Sequence, residues 1–238
     1  MKIYKFITTL ALASIFLLGQ GQAALAAERN TISVQGSAVT TVKPDLAYVA
    51  MNIELKEKTA EATREKLAAK LEELRRTMLI LSIDSEEVKT TYYGLAPYTY
   101  ATKNGMKTDG FVGRTGLSVK VKDLNKLGQV IDRVVGLGEV NIQGVSFDLQ
   151  NRNLIEKRLL SEAVANAQEK AQMVANAGGR SLGSLVSADI TAMGANRVNL
   201  DNAVLAMAKM SDELRTNTEL NPGNITVTAR VGTVWGLL

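Results

Sequence analysis

Cysteine and histidine are both absent from the 238 residues of this chain. Without cysteine there are no disulfides, no thiolate nucleophile, no thiolate metal site and no lipid attachment through a cysteine. Without histidine the chain lacks the usual general base near neutral pH and the commonest metal ligand, so a Ser-His-Asp triad is excluded. We therefore expect a protein that is not an enzyme and that uses no metal or cofactor. An enzyme built on carboxylate, lysine or tyrosine groups is the remaining alternative.

An excess of charge of one sign is also missing. The chain has 28 basic and 24 acidic residues, a net charge of +4, and the two signs are interspersed. This distribution predicts no nucleic-acid partner.

The glycine-rich motif of phosphate-binding loops is incomplete as well. Gly178 and Gly183 have the spacing of a phosphate loop, but Ser184 stands where the lysine should be.

Long apolar runs are confined to the amino terminus. Residues 1–27 have two early lysines, an apolar centre from Ile7 to Leu18 and a small-x-small motif at Ala24-Leu25-Ala26. This pattern predicts a cleavable signal peptide. The apolar centre of about 12 residues is short for a membrane span, although an uncleaved anchor is the alternative. We expect a mature domain of residues 28–238 without a transmembrane segment.

Alternating and helical patterns divide the first half of the mature chain. Thr31–Ser37 is predicted as a short strand, and Leu46–Lys58 as a strand buried on one face only. Thr59 is the predicted cap of the following helix. The apolar seam of that helix comprises Leu67, Leu71, Leu74, Met78 and Leu81.

A hairpin is predicted from Val88–Tyr100 and Phe111–Lys122, joined by a loop of more than two residues around Asn104-Gly105. Pro97 favours an edge position or a kink. Four tyrosines cluster in the first strand, and they are either ordinary cross-strand neighbours or an interface for another subunit. We take as candidate subunit-interface residues Tyr92, Tyr93, Tyr98 and Tyr100.

The least ambiguous helix runs from Asn153 to about Gly178, after a short helix capped by Asp123 and a strand from Val140 to Leu149. It is expected to lie on a sheet, although its small-residue face is also suited to a partner chain. The predicted buried stripe comprises Leu160, Val164, Ala167, Ala171, Val174 and Gly178.

Residues 194–222 form the least regular segment, and we interpret them as a mobile insertion with a short helix from Asn202 to Leu214. It follows a strand predicted over Leu185–Met193 and precedes a closing strand that reaches Trp235. The candidate oxidisable residues in or beside the insertion are Met193, Met207 and Met210.

The order of these elements predicts an α+β fold: an antiparallel-rich sheet with long helices packed on one face, in two related halves.

The chain also resembles the SIMPL-domain family from Thr31 to about Trp235. The segments that carry the resemblance are Val34-Gln35-Gly36 with Lys43–Ala47, Val88-Lys89-Thr90 with Leu95 and Pro97-Tyr98, Phe111–Val121, Ile142 with Gly144-Val145 and Phe147, Ala163, Ala167, Lys170-Ala171 and Gly178, and Pro222-Gly223 with Ile225, Val227 and Ala229. A common second glycine after Gly36 is replaced here by Ala38.

The resemblance implies a bacterial periplasmic protein of the immunogenic or oxidative-stress defence type, without established catalytic residues. It also implies a homo-oligomer, ring-like or channel-like in some members. We therefore expect a non-enzymatic, self-associating periplasmic envelope protein linked to oxidative-stress tolerance, exported and not a lipoprotein. The alternative is a periplasmic binding module for a small molecule or peptide, with residues 194–222 as its lid.

Overall fold

The computed structural model describes residues 30–195, 198–201 and 220–238, and it places them in two antiparallel sheets and three α-helices. The strands are β1 (Thr31–Val42), β2 (Leu46–Glu57), β3 (Val88–Thr102), β4 (Gly105–Val121), β5 (Val140–Asp148), β6 (Leu182–Ala195), β7 (Val198–Asp201) and β8 (Ile225–Leu237). The helices are α1 (Ala60–Ile80), α2 (Leu127–Gly136) and α3 (Arg152–Ala177).

The larger sheet has the order β3-β4-β2-β5-β7, and α1 and α2 cover one of its faces. The predicted alternation of β2 is confirmed, since Ala47, Val49, Met51, Ile53 and Leu55 are all buried. The hydroxyl of Thr59 accepts a hydrogen bond from the Ala62 amide at 3.2 Å and caps α1 as predicted. From the predicted seam of α1, Leu67, Leu74 and Met78 are buried.

The smaller sheet has the order β1-β8-β6, and α3 lies on one of its faces. β1 is longer than predicted, because its alternation continues through Thr40 and Thr41 up to the turn at Pro44. All twelve residues of β1 pair with β8, from Thr31 opposite Gly236 to Val42 opposite Ile225, without a register shift. The two ends of the described chain therefore meet side by side in one sheet.

The predicted buried stripe of α3 is partly wrong. Ala167 and Ala171 are buried as expected, but Val174 is 55% exposed and the stripe is completed by other residues. The reason is that Gly36 of β1 lets the helix approach closely, so the contact admits small side chains and displaces Leu160 and Val164 to its margins. The observed stripe is Leu159, Ala163, Ala167, Ala171 and Ala175.

The predicted α+β class is confirmed, with the helices packed on sheet faces. The antiparallel strands form two unequal sheets, and the sheets interleave along the chain because β1, β6 and β8 are far apart in sequence.

Polar contacts link the two sheets where the chain passes from one to the other. The Gln150 amide donates to Asp45 Oδ1 at 2.7 Å, and its side-chain nitrogen donates to the Asp45 carbonyl at 2.7 Å. Arg152 at the start of α3 pairs with the buried Asp148 at the end of β5.

The β3–β4 hairpin is confirmed, but its loop is shorter than predicted. Thr102 pairs with Gly105, so only Lys103 and Asn104 connect the strands. A positive φ of 108° at Gly105 permits this tight connection. Pro97 lies on an edge strand and beside a register shift, as its missing N–H predicts.

Within the described ranges, no helix is long and apolar enough to span a membrane.

Candidate functional site

The β3–β4 hairpin extends beyond the rest of its sheet. β2 pairs with β4 only from Phe111 to Val121, so residues 105–108 of β4 pair with β3 alone, and Asp109 and Gly110 lie at a register shift. We define the arm as residues 98–110. Its side chains are exposed from Thr99 to Thr108, and Met106 at the tip is 71% exposed. A two-stranded ribbon of this kind is only marginally stable in water by itself.

An ion-pair cluster holds the base of the arm against β2. Asp109 accepts hydrogen bonds from Lys56 Nζ at 2.7 Å and from Lys58 Nζ at 2.9 Å. The hydrogen bonds from these two ammonium groups lower the pKa of Asp109 to about 2. The carboxylate of Asp109 is therefore charged throughout the neutral range, and it fixes the arm where β2 ends.

Two of the candidate tyrosines are stacked above this cluster. The ring centroids of Tyr98 and Tyr100 are 6.0 Å apart, and Lys56 Nζ lies 3.9 Å from the centroid of Tyr98. This geometry is that of a cation–π contact on a tilted aromatic pair. Both rings are about one-third exposed, at 36% and 37%. They lie with Lys56 on the sheet face opposite the helices, where aromatic area remains available to a partner.

Tyr92 belongs to the same open face. It pairs with Gly116, and its hydroxyl covers Gly94, where an added Cβ would approach it to 2.2 Å. Arg114 donates two hydrogen bonds of 2.9 Å to Glu54 on this face, and these bonds lower the pKa of Glu54. Arg114 and Glu54 beside Tyr92 are thus paired with each other, whereas Lys107, which lies opposite Tyr100, has no ion-pair partner among the described residues.

Tyr93 points the other way. It pairs with Thr115, which is buried under α1, so its ring lies on the helix side of the edge strand. It is 52% exposed there, and Tyr92 is 58% exposed on the open face. The structure therefore places Tyr92, Tyr98 and Tyr100 on the open face of the edge strand, with Tyr98 and Tyr100 in contact, and it places Tyr93 on the helix side.

Methionines are divided between core and surface. Met51 and Met78 are buried, as expected from their positions in β2 and α1. Met193, a candidate oxidisable residue, is 47% exposed. Met207 and Met210 lie outside the described residues, as do the predicted helix Asn202–Leu214 and most of the predicted insertion; β6 reaches Ala195, and β7 covers Val198–Asp201. The sequence missed the two most exposed described methionines, Met106 at 71% and Met173 at 57%.

Chemistry-bearing side chains do not converge elsewhere in the described part of the chain. No group of three or more His, Cys, Asp or Glu residues there could hold a metal ion. A cleft of about 430 Å³ beside the start of α3 is lined by Gln150, Asn151, Arg152, Asn153, Leu154 and Lys157. The guanidinium of Arg152 is already paired with Asp148 and lies 3.7 Å from Glu156. The residues that line the cleft therefore include no carboxylate that could act as an acid or base there.

The fold is thus an α+β domain of two antiparallel sheets with an exposed tyrosine-bearing arm. The family model SIMPL, described as a protein of unknown function (DUF541), matches residues 32–235. The chain belongs to the SIMPL family.

Two curated relatives are both called 26 kDa periplasmic immunogenic protein, one from Brucella melitensis biotype 1 and one from Brucella abortus strain S19. Each is 32% identical to this chain over 165 residues, which cover 65% of this chain and 64% of the relative. The match therefore spans slightly less than two thirds of each relative's length.

Proposed function

We propose that this protein is a non-enzymatic component of the bacterial envelope that associates with further copies of itself through the arm. The observation that carries the proposal is the exposed pair Tyr98 and Tyr100 on a two-stranded extension of an edge strand. Tyrosine is enriched at protein interfaces, because its ring buries a large area and its hydroxyl keeps a polar partner.

Most of the charged side chains around the arm are already paired within the chain, which favours a protein–protein interface at the tyrosines. Lys56 and Lys58 are paired with Asp109, and Arg114 is paired with Glu54. A partner that covers the tyrosines therefore meets these charges as neutralised pairs, and an acidic group of the partner would be needed for Lys107, which lies opposite Tyr100. A second chain that covers the arm would also supply the apolar contacts that the ribbon lacks on its own.

The proposal is tested by the sedimentation of the exported form, beginning at residue 28, over a wide concentration range. The double variant Tyr98→Ser/Tyr100→Ser is expected to shift the distribution to smaller species, by roughly tenfold in the association constant or more. Ile80→Ser is the matched control, since Ile80 is 78% exposed at the end of α1 on the helix side of the sheet. A wild-type chain that stays monomeric at all concentrations, or an equal response of both variants, would reject the arm as the interface.

The envelope location rests on the relatives, whose names place them in the periplasm. A direct chemical part in oxidative-stress tolerance would fall to thioethers, because the chain has no cysteine to form a peroxidatic thiol. Met106, Met173 and Met193 are exposed and chemically suited to this role. Replacing all three by leucine in the producing bacterium should lower its survival under peroxide, with the protein level unchanged; full survival would remove the thioethers from the explanation.

A further inference from the structure

β1 has the composition of an edge strand that readily pairs with a strand of another chain. It forms an outer edge of the smaller sheet, and no strand pairs with its other side among the described residues. It runs for twelve residues without a register shift, a proline or a charged residue, and seven of the twelve are β-branched: Thr31, Ile32, Val34, Val39, Thr40, Thr41 and Val42. A long, flat, uncharged edge of this kind is a template for pairing between chains.

The other two long edges carry their own obstacles. β3 contains Lys89, Pro97 and two register shifts. β6 contains Asp189 and three register shifts. Charges, prolines and bulges are the devices that keep sheet edges from joining. β1 has none of them, so its protection must come from outside the strand.

Helix α3 supplies that protection through two side chains. The Ser37 amide donates a hydrogen bond to Asn166 Oδ1 at 3.2 Å, and Lys170 Nζ donates one to the Gln35 carbonyl at 3.0 Å. Gln35 and Ser37 lie near the middle of β1, and these two backbone groups point away from β8. They are the groups that an added strand would need first.

We propose that Asn166 and Lys170 close the β1 edge against a second copy of this chain, and that removing them lets β1 pair with β1 of another molecule. The occupant is a second copy of this chain. Because β1 has no charged residue, two antiparallel copies of it can pair without like charges facing each other. The repulsion comes from Lys170, since a twofold pairing centred near Ser37 brings the two Lys170 ammonium groups to the same edge. This proposal is independent of the arm interface.

The absence of cysteine allows a direct test. Ser37→Cys places a single thiol on the exposed side of β1 and keeps the backbone N–H that Asn166 accepts. In this background, Asn166→Ala/Lys170→Ala is expected to give at least roughly tenfold more dimer with a short bifunctional maleimide, the ratio that corresponds to about 1.4 kcal/mol. The matched control is Lys157→Ala/Gln168→Ala, which removes the same kinds of side chain from exposed positions of α3.

Two further readouts separate this proposal from the others. The cross-linking is repeated in the Tyr98→Ser/Tyr100→Ser background, where association through the arm is removed but association through β1 is retained. Amide hydrogen exchange at Ser37 reports the closed edge in the single variant Asn166→Ala, where faster exchange is expected. Equal cross-linking in all backgrounds, or unchanged exchange at Ser37, would overturn the proposal, whereas a failure of the arm interface would leave both readouts unaffected.

Discussion

The carbonyl oxygen of Ala163 lies 1.9 Å from the position that a Cβ on Gly36 would occupy. The Cβ of Ala167 is 2.8 Å from the same position. Helix and strand backbones are therefore in contact at this point, and the alanine stripe of α3 follows from it. The same close approach brings Asn166 and Lys170 within reach of the β1 edge.

Gly36→Ala should destabilise the protein by about 3 kcal/mol, toward the upper end of what overpacking in a core costs. The backbone carbonyl of Ala163 cannot rotate away, so the helix has to move. The control is Gly232→Ala in β8, where the nearest atom to the added Cβ is 4.0 Å away and the change should be stabilising by less than about 1 kcal/mol. Urea unfolding of both variants measures the difference, and equal midpoints would contradict the contact.

Asp109 should titrate far below its ordinary value of 3.8, with a pKa of about 2, because Lys56 and Lys58 donate to its charged form. A lowered pKa in the folded state means that the ion pairs stabilise the arm above pH 3.8. That stabilisation is lost as the pH falls from 3.8 toward 2. NMR titration of the Asp109 carboxyl measures the value directly. Lys56→Met/Lys58→Met should return the pKa to near 3.8, and a wild-type midpoint already there would refute the cluster.

Mild peroxide should oxidise the exposed methionines in the order of their accessibility: Met106, then Met173, then Met193. Met51 and Met78, at 2% and 0% exposure, should remain reduced until the chain unfolds. Peptide mass analysis after timed exposure gives each rate. In denaturant the five thioethers should react alike, and rates that already match in the native protein would show that burial does not protect them.

Local patterns in the sequence predicted most elements of the larger sheet. The alternation of β2 gave its buried face, Thr59 gave the start of α1, and Pro97 gave the edge strand. The spacing of four residues between Glu72 and Arg76 on α1 likewise predicts an ion pair, which is present at 3.1 Å. These features depend on neighbours within a few residues, so they can be read along the chain.

Long-range partners could not be read in this way. Nothing near Gly36 indicates that α3 crosses it, about 130 residues later, and the buried stripe of α3 was consequently misplaced toward Val174. The arm was missed for the same reason, since its exposure depends on where β2 stops pairing with β4. Tyr98 and Tyr100 were named from composition, whereas their stacking with Lys56 required the coordinates.

The place of β8 between β1 and β6 has a kinetic consequence. Thr31 pairs with Gly236, so β8, the central strand of the smaller sheet, is synthesised after both of the strands that it joins. Until β8 is made, β1 and β6 lack the strand that joins them, and α3 lacks the part of its buried surface that β8 supplies. Closure over so long a loop is slow compared with local folding, so this half of the protein becomes compact late.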